Sequence, residues 1–293
     1  VISHPTEGIV IGSIWGSIAK LYALIGEPEK GMDFIIENKQ SICPDSTYEC
    51  LNVDSLRQLM EGFYYSYYYE NALEIINMAL SQSEEDLKSS GFSIDDKKKI
   101  YFQYGMIHMK WGQYDKAIEG FNQALNLTFE NKTNNQWWNA QFYRRLGLIY
   151  FLKGDYITSS KHFKEAVRIN KTIDDEKESI KSLCFYGYVE QLVGNHEKAK
   201  EAMAECATFI SKKPLKEGTD FPGSEIYETT WTLYLYHNSL NNLEEASKYL
   251  TLAYESLEKE SIDEYHKHKE KDTHPKFFYC RDIIQIYETS LNQ

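Results

Sequence analysis

Residues Tyr101–Leu125 read YFQYGMIHMKWGQYDKAIEGFNQAL, and two later stretches of the same length repeat their spacing. Residues Tyr143–Val167 read YRRLGLIYFLKGDYITSSKHFKEAV, and residues Leu183–Ala207 read LCFYGYVEQLVGNHEKAKEAMAECA. Each stretch has a large residue, a glycine four positions later, a second glycine seven further on, and Ala or Ser five after that. Such a recurring pattern predicts a stack of similar supersecondary units.

The order of small and large residues predicts two antiparallel helices in each repeat. The first glycine falls inside a helix, where it costs about 1 kcal/mol relative to alanine, so we expect a neighbouring helix to pack closely against it. The second glycine falls at a helix end, where a left-handed C-cap favours it. The first set is Gly105, Gly147 and Gly187, and the second is Gly112, Gly154 and Gly194.

Three further repeats follow the pattern less completely. They lie before and after the three strong ones, and their key positions are Trp15, Ala19, Tyr22, Gly26 and Gly31; Leu56, Met60, Phe63, Ala72, Ile76 and Ala79; and Thr230, Tyr234, His237, Ala246, Leu250 and Ala253. After the last repeat, residues 276–291 alternate apolar and polar side chains at helical spacing and predict a capping helix.

The segments GQYDKAIEGFNQAL (Gly112–Leu125) and KGDYITSSKHFKEAV (Lys153–Val167) resemble the tetratricopeptide repeat. The resemblance covers about residues 12–258. It implies an all-α, right-handed superhelical solenoid of about six helix pairs, and we expect one domain over residues 1–293. The expected pairs are 12–40, 53–87, 98–127, 140–171, 180–212 and 227–258.

Successive repeats are 40 to 47 residues apart, longer than the standard repeat of about 34. Long repeats of this kind resemble those of the cytosolic peptide-pheromone receptors of Gram-positive bacteria, and of ligand-sensing and scaffold proteins. In the receptors, a re-imported peptide binds the concave face. Their output comes from an N-terminal DNA-binding or effector element. Because the sequence starts at Val1 rather than Met, we expect residues to precede it.

The resemblance also implies which side chains line the groove, since certain positions of each first helix face it. The composition there is apolar and aromatic with a few polar groups, as expected for peptide binding. The candidate binding residues are Phe102, Met106, Met109, Arg144, Phe151, Tyr188, Gln191, Trp231 and Asn238.

Each candidate has an alternative interpretation. Any of the apolar residues could instead pack against the next repeat, and Arg144 could pair with a nearby acid rather than a ligand carboxylate. Trp137 and Trp138 are more typical of a packing anchor than of a recognition pair. His108 and His237 stand where the repeat normally has a packed aromatic residue, so we expect buried, hydrogen-bonded histidines.

Charge and motifs argue against several function classes. The formal charge of −12 disfavours binding of nucleic acid or an anionic membrane, which need clustered basic residues. No phosphate-binding loop or catalytic motif occurs, so we predict no enzyme, cofactor or metal site. The five scattered cysteines form no CxxC pair and favour a reduced, cytoplasmic protein. No basic-then-apolar leader and no transmembrane run is visible.

Two hypotheses remain for the function. The first is the ligand-sensing domain of a peptide-responsive, quorum-sensing-like regulator. The second is a scaffold or assembly subunit that holds a partner protein's helix or tail, and a homodimer stays open in either case. Repeats that clamp the acidic tails of chaperones have Lys and Asn at two first-helix positions. This chain has Phe102 and Met106 there, so that partner is disfavoured.

Overall fold

The computed structural model describes residues 14–22, 27–42, 53–65, 68–81, 93–127, 132–212, 226–257 and 278–291. These residues form helices joined by turns, with no strand among them, which confirms the predicted all-α fold of consecutive helix pairs. The chain divides into two compact units, residues 1–129 and 130–293. The single solenoid over residues 1–293 stays a prediction.

Six helices are described in the N-terminal unit, and those that are neighbours in the sequence pack together. Its core is built from buried Leu59, Met60, Phe63 and Ile76 together with other buried apolar side chains. At Ser93, a capping box begins the fifth helix, because the Ser93 hydroxyl accepts from the backbone N–H of Asp96. The helices are α1 (14–22), α2 (Pro28–Ile42), α3 (Val53–Tyr65), α4 (Tyr69–Ser81), α5 (Ile94–Lys110) and α6 (Tyr114–Asn126).

The C-terminal unit contains the remaining described helices. They are α7 (Lys132–Leu152), α8 (Tyr156–Thr172), α9 (Glu176–Val193), α10 (His196–Lys212), α11 (Ile226–Ser239), α12 (Leu243–Glu255) and α13 (Phe278–Ser290). The pairs α7/α8, α9/α10 and α11/α12 pack closely, α8 also packs against α9, and α9 packs against α11. Successive pairs are therefore stacked, and their first helices α7, α9 and α11 belong to one layer.

The mid-helix glycines allow the close helix approach that their spacing predicts. A Cβ added at Gly147 would lie 2.9 Å from the Phe163 ring, and one at Gly105 would lie 2.4 Å from the Phe121 ring. The helix-end glycine at Gly194 is a left-handed C-cap with φ of 92°. Both parts of the glycine pattern are thus confirmed.

The structure contradicts the expectation that all five cysteines are reduced. Cys184 of α9 and Cys206 of α10 form a disulfide with their Cα atoms 5.8 Å apart, and both side chains are buried. The disulfide turns the Cys184 side chain toward the second helix of its own pair.

Local packing accounts for several tryptophan, histidine and tyrosine side chains. Trp138 stacks on Phe142 with their ring centroids 5.8 Å apart, as expected of a packing anchor. His108 is buried and its Nδ1 lies 2.7 Å from Gln113 Oε1, as predicted, while His237 stacks on Tyr249. The helix α13 packs against α12, where Tyr287 stacks on Tyr254 at 4.1 Å.

Candidate functional site

Side chains of α7, α9 and α11 meet in an ion network within the C-terminal unit. Arg144 Nη2 lies 2.5 Å from Glu228 Oε2, and Arg144 Nε lies 3.8 Å from Glu178 Oε2. Arg144 and Glu228 are each 3% exposed, so this ion pair is almost completely removed from water. One guanidinium group thereby links the first helices of three successive pairs.

Glu178 is the centre of this network. Its carboxylate accepts hydrogen bonds from Gln141 Nε2 at 3.0 Å and from Lys181 Nζ at 2.7 Å. Burial acts to raise the pKa of Glu178, but the Arg144 and Lys181 charges and the hydrogen bonds outweigh it and lower the pKa to about 2. The carboxylate is therefore ionised at any pH at which the protein is expected to work.

Arg144 therefore pairs with acidic residues of its own chain. This matches the alternative interpretation, in which Arg144 pairs with a nearby acid rather than with a ligand carboxylate. The sequence analysis expects a nearby acid beside Arg144 but does not identify Glu178 or Glu228 as that acid. The signal for Glu178 was its position one helical turn before Lys181, on the same side of α9. The ion network, defined here as Gln141, Arg144, Glu178, Lys181 and Glu228, forms one end of the face carried by α7, α9 and α11.

Aromatic side chains form the other end of this face. The Phe151 ring lies 5.9 Å from the Tyr188 ring and 5.9 Å from the Tyr156 ring. The buried Trp231 stacks on Tyr234 with a centroid distance of 4.9 Å. Phe151, Tyr156, Tyr188 and Tyr234 are half-buried, so part of each ring is open to solvent. These five residues are called the aromatic cluster below.

The structure brings two of the predicted binding residues into contact, since the Phe151 and Tyr188 rings lie 5.9 Å apart, and it stacks a third, Trp231, on Tyr234. Sequence reasoning missed Tyr156 because it belongs to the second helix of its pair, and it treated Tyr234 only as a repeat position. The pKa of Tyr188 is raised by burial and then by the neighbouring Tyr156 and Tyr234 phenols. Tyr188 and Tyr234 both pack against the same buried core of the C-terminal unit.

The other predicted residues lie elsewhere. Gln191 Oε1 is 2.9 Å from His196 Nδ1 across the turn after α9, and Asn238 is exposed near the end of α11. In the N-terminal unit, Met106 and Met109 are buried within α5. Phe102 packs against Phe121 of α6, with ring centroids 6.1 Å apart.

Comparison with known families explains the repeated helix pairs. The family model described as tetratricopeptide repeat matches residues 98–131 and 140–173. These two segments are therefore similar to tetratricopeptide repeats. The second repeat contains Arg144 and Phe151 and therefore contributes to both ends of the face described above. Repeats of this family mediate binding of proteins or peptides and typically form non-enzymatic scaffolds.

A solved structure resembles the chain over most of its length. It is the crystal structure of BtubC (BKLC) from P. vanneervenii, with 15% sequence identity, a TM-score of 0.53, and a match that covers 87% of this chain and 91% of that chain. At this identity, the similarity shows the fold alone. A comparison with curated proteins finds no match. None of the described helices has both the length and the apolar character needed to span a membrane.

Proposed function

We propose that the chain binds a short peptide or a segment of a partner protein on the face carried by α7, α9 and α11. The observation behind this proposal is the aromatic cluster, which gathers half-buried rings from four helices. Aromatic side chains that are partly open to solvent are the groups that contribute most to protein and peptide interfaces. No catalytic step is needed for this role.

The ion network supports the proposal by holding the face in one shape. Its two basic residues, Arg144 and Lys181, balance the two acidic residues Glu178 and Glu228. A ligand therefore meets charges that are already neutralised, next to rings that are only partly covered. A preorganised face loses less entropy when it binds a flexible peptide.

We further propose that the chain is the ligand-sensing part of a peptide-responsive regulator. This finer assignment is supported by the spacing of 40 to 47 residues between repeats, which resembles that of the Gram-positive peptide receptors. A cytoplasmic location would suit that role. The ligand-binding role predicted for Phe102, Met106 and Met109, which lie in the N-terminal unit, stays a prediction.

Selection from a random heptapeptide library displayed on phage tests the peptide-binding proposal. Peptides selected on the wild-type protein should raise its melting temperature by a few degrees at concentrations well above their Kd. Tyr188→Ala and Phe151→Ala should weaken binding of these peptides at least about tenfold, measured by fluorescence polarisation. Circular dichroism melts establish that each variant is folded.

Tyr186→Ala is the matched control, because Tyr186 is a half-buried tyrosine of the same helix outside the aromatic cluster. Its pKa is raised by burial and by the carboxylates of Glu190 and Glu201, whereas that of Tyr188 is raised by burial and two phenols. Equal loss of binding in the control and in Tyr188→Ala would place the site elsewhere. Failure to select any peptide on the wild-type protein would contradict peptide binding and leave the scaffold role as the better account.

A further inference from the structure

A disulfide joins α9 to α10 inside the core of the C-terminal unit. Cys184 and Cys206 are 22 residues apart in the sequence, their Cα atoms are 5.8 Å apart, and neither side chain is exposed to solvent. Both belong to the buried core that also contains Met203 and Leu233. The bond therefore links a first helix to the second helix of its own pair.

The two helices approach each other closely beside this bond. Gly187 lies one turn after Cys184, and Met203 lies one turn before Cys206. A Cβ added at Gly187 would lie 2.8 Å from Met203 Sδ and 2.9 Å from the Cβ of Ala202. Because these contacts leave no room for α9 and α10 to move closer together, a change at the disulfide must move them apart or repack their side chains.

Breaking the bond requires additional space in the core. Bonded sulfur atoms are about 2.05 Å apart, whereas sulfur atoms that are not bonded need about 3.5 Å or more. The Sγ atoms of Cys184 and Cys206 must therefore separate by about 1.5 Å when the bond is reduced. Since the interior of a protein is densely packed, this separation displaces neighbouring side chains or the helices themselves.

The helix α9 carries side chains from both ends of the face proposed to bind the ligand. Lys181 of the ion network lies one turn before Cys184, and Tyr188 of the aromatic cluster lies one turn after it. Tyr188 also packs against the same buried core as the disulfide, and its ring lies 5.9 Å from the Phe151 ring of α7. A displacement of α9 therefore changes the position of these groups relative to α7.

We infer that the Cys184–Cys206 disulfide is a redox-sensitive link that holds α9 in the position required for ligand binding. Its effect on binding rests on the proposed function. In the reduction, an external dithiol supplies two electrons and two protons: the S–S bond breaks, two thiols form, and the dithiol becomes a disulfide. Because the donor thiolate must reach a buried sulfur, the reaction proceeds when α9 and α10 open locally. A cytoplasmic location suits the proposed role, and disulfides that occur there mostly act as redox sensors.

The first experiment examines the link without any peptide. Protein prepared without reductant is treated with dithiothreitol, freed of it and labelled with N-ethylmaleimide under denaturing conditions, and mass spectrometry locates the labels. Reduction should add a label to each of Cys184 and Cys206 and should lower the melting temperature by about 5–10 °C. Hydrogen–deuterium exchange should become faster in α9 and α10, while α5 and α6 of the other unit keep their exchange rates.

The second experiment measures binding of the heptapeptides selected on the unreduced wild-type protein. Reduction should weaken their binding about fivefold or more in fluorescence polarisation, because the face is then less preorganised. In Cys184→Ala/Cys206→Ala, the dithiol should change neither the peptide affinity nor the melting temperature, because the link is absent. In Cys43→Ser/Cys50→Ser/Cys280→Ser, the full response to the dithiol should remain, since only the linked cysteines are left.

The outcomes separate this inference from the proposed function. Thiols at Cys184 and Cys206 that are free before treatment would overturn the redox-sensitive link, and so would a bond that resists dithiothreitol in the folded protein. Faster exchange without any loss of peptide affinity would overturn its control of the binding face. Failure to select any peptide would overturn the proposed function, whereas labelling, melting and exchange would still decide whether the disulfide holds α9 against α10.

Discussion

Arg144 of α7 and Glu228 of α11 form a buried ion pair, 2.5 Å between Nη2 and Oε2, although 84 residues separate them in the sequence. Truncating one member of such a pair leaves the other charge buried without compensation. We expect Arg144→Ala to lower the free energy of unfolding by about 3–5 kcal/mol, measured by urea denaturation.

Two comparisons sharpen that prediction. Arg168→Ala removes an exposed ion pair with Glu165, 2.6 Å apart, and should cost about 1 kcal/mol or less. The double variant Arg144→Leu/Glu228→Leu removes both buried charges and should be more stable than Arg144→Ala alone. If Arg144→Ala cost no more than Arg168→Ala, the buried pair would have no structural role.

Glu178 should make the fold sensitive to acid. Its pKa of about 2 in the folded protein lies below the usual value of 4.5, so its stabilising effect is complete above pH 4.5 and is lost as the pH falls toward 2. The stability difference between wild type and Glu178→Gln should therefore narrow by about 1 kcal/mol between pH 6.5 and pH 3.5. Urea denaturation at the two pH values measures it. A difference independent of pH would contradict the charged, hydrogen-bonded state of Glu178.

Gly147 tests the close approach of α7 and α8. Since a Cβ at this position would lie 2.9 Å from the Phe163 ring, Gly147→Leu should overpack the helix pair and destabilise the protein by about 1–3 kcal/mol. Lys164→Leu adds the same side chain at an exposed position of α8 and is the control. In thermal melts, the melting temperature of Gly147→Leu should be clearly lower than that of Lys164→Leu. An unperturbed Gly147→Leu protein would contradict the repeat register.

The spacing of small residues is enough to predict the helix pairs. It places Gly147 of α7 opposite Phe163 of α8, and this contact depends only on residues close together in the sequence. The contacts at the candidate site could not be derived in the same way. Whether Arg144 reaches Glu228 depends on how closely α7 and α11 approach each other, and charged side chains occur throughout the sequence. Tyr156 joins the aromatic cluster from a second helix, so a rule restricted to first helices could not include it. The Cys184–Cys206 disulfide depends likewise on side-chain direction.

Lys98 provides a test at alkaline pH. It is fully buried in α5, and burial lowers its pKa from 10.5 to about 8 despite the opposing effect of Asp95. The folded protein therefore releases this proton at a lower pH than the unfolded chain, so stability should increase as the pH rises from 8 toward 10.5. Relative to Lys98→Met, the wild-type protein should gain about 2 kcal/mol between pH 7 and pH 10, because the comparison cancels the titration of all other groups. Urea denaturation of both proteins at the two pH values measures this gain, and a constant difference would show that Lys98 is charged equally in the folded and unfolded states.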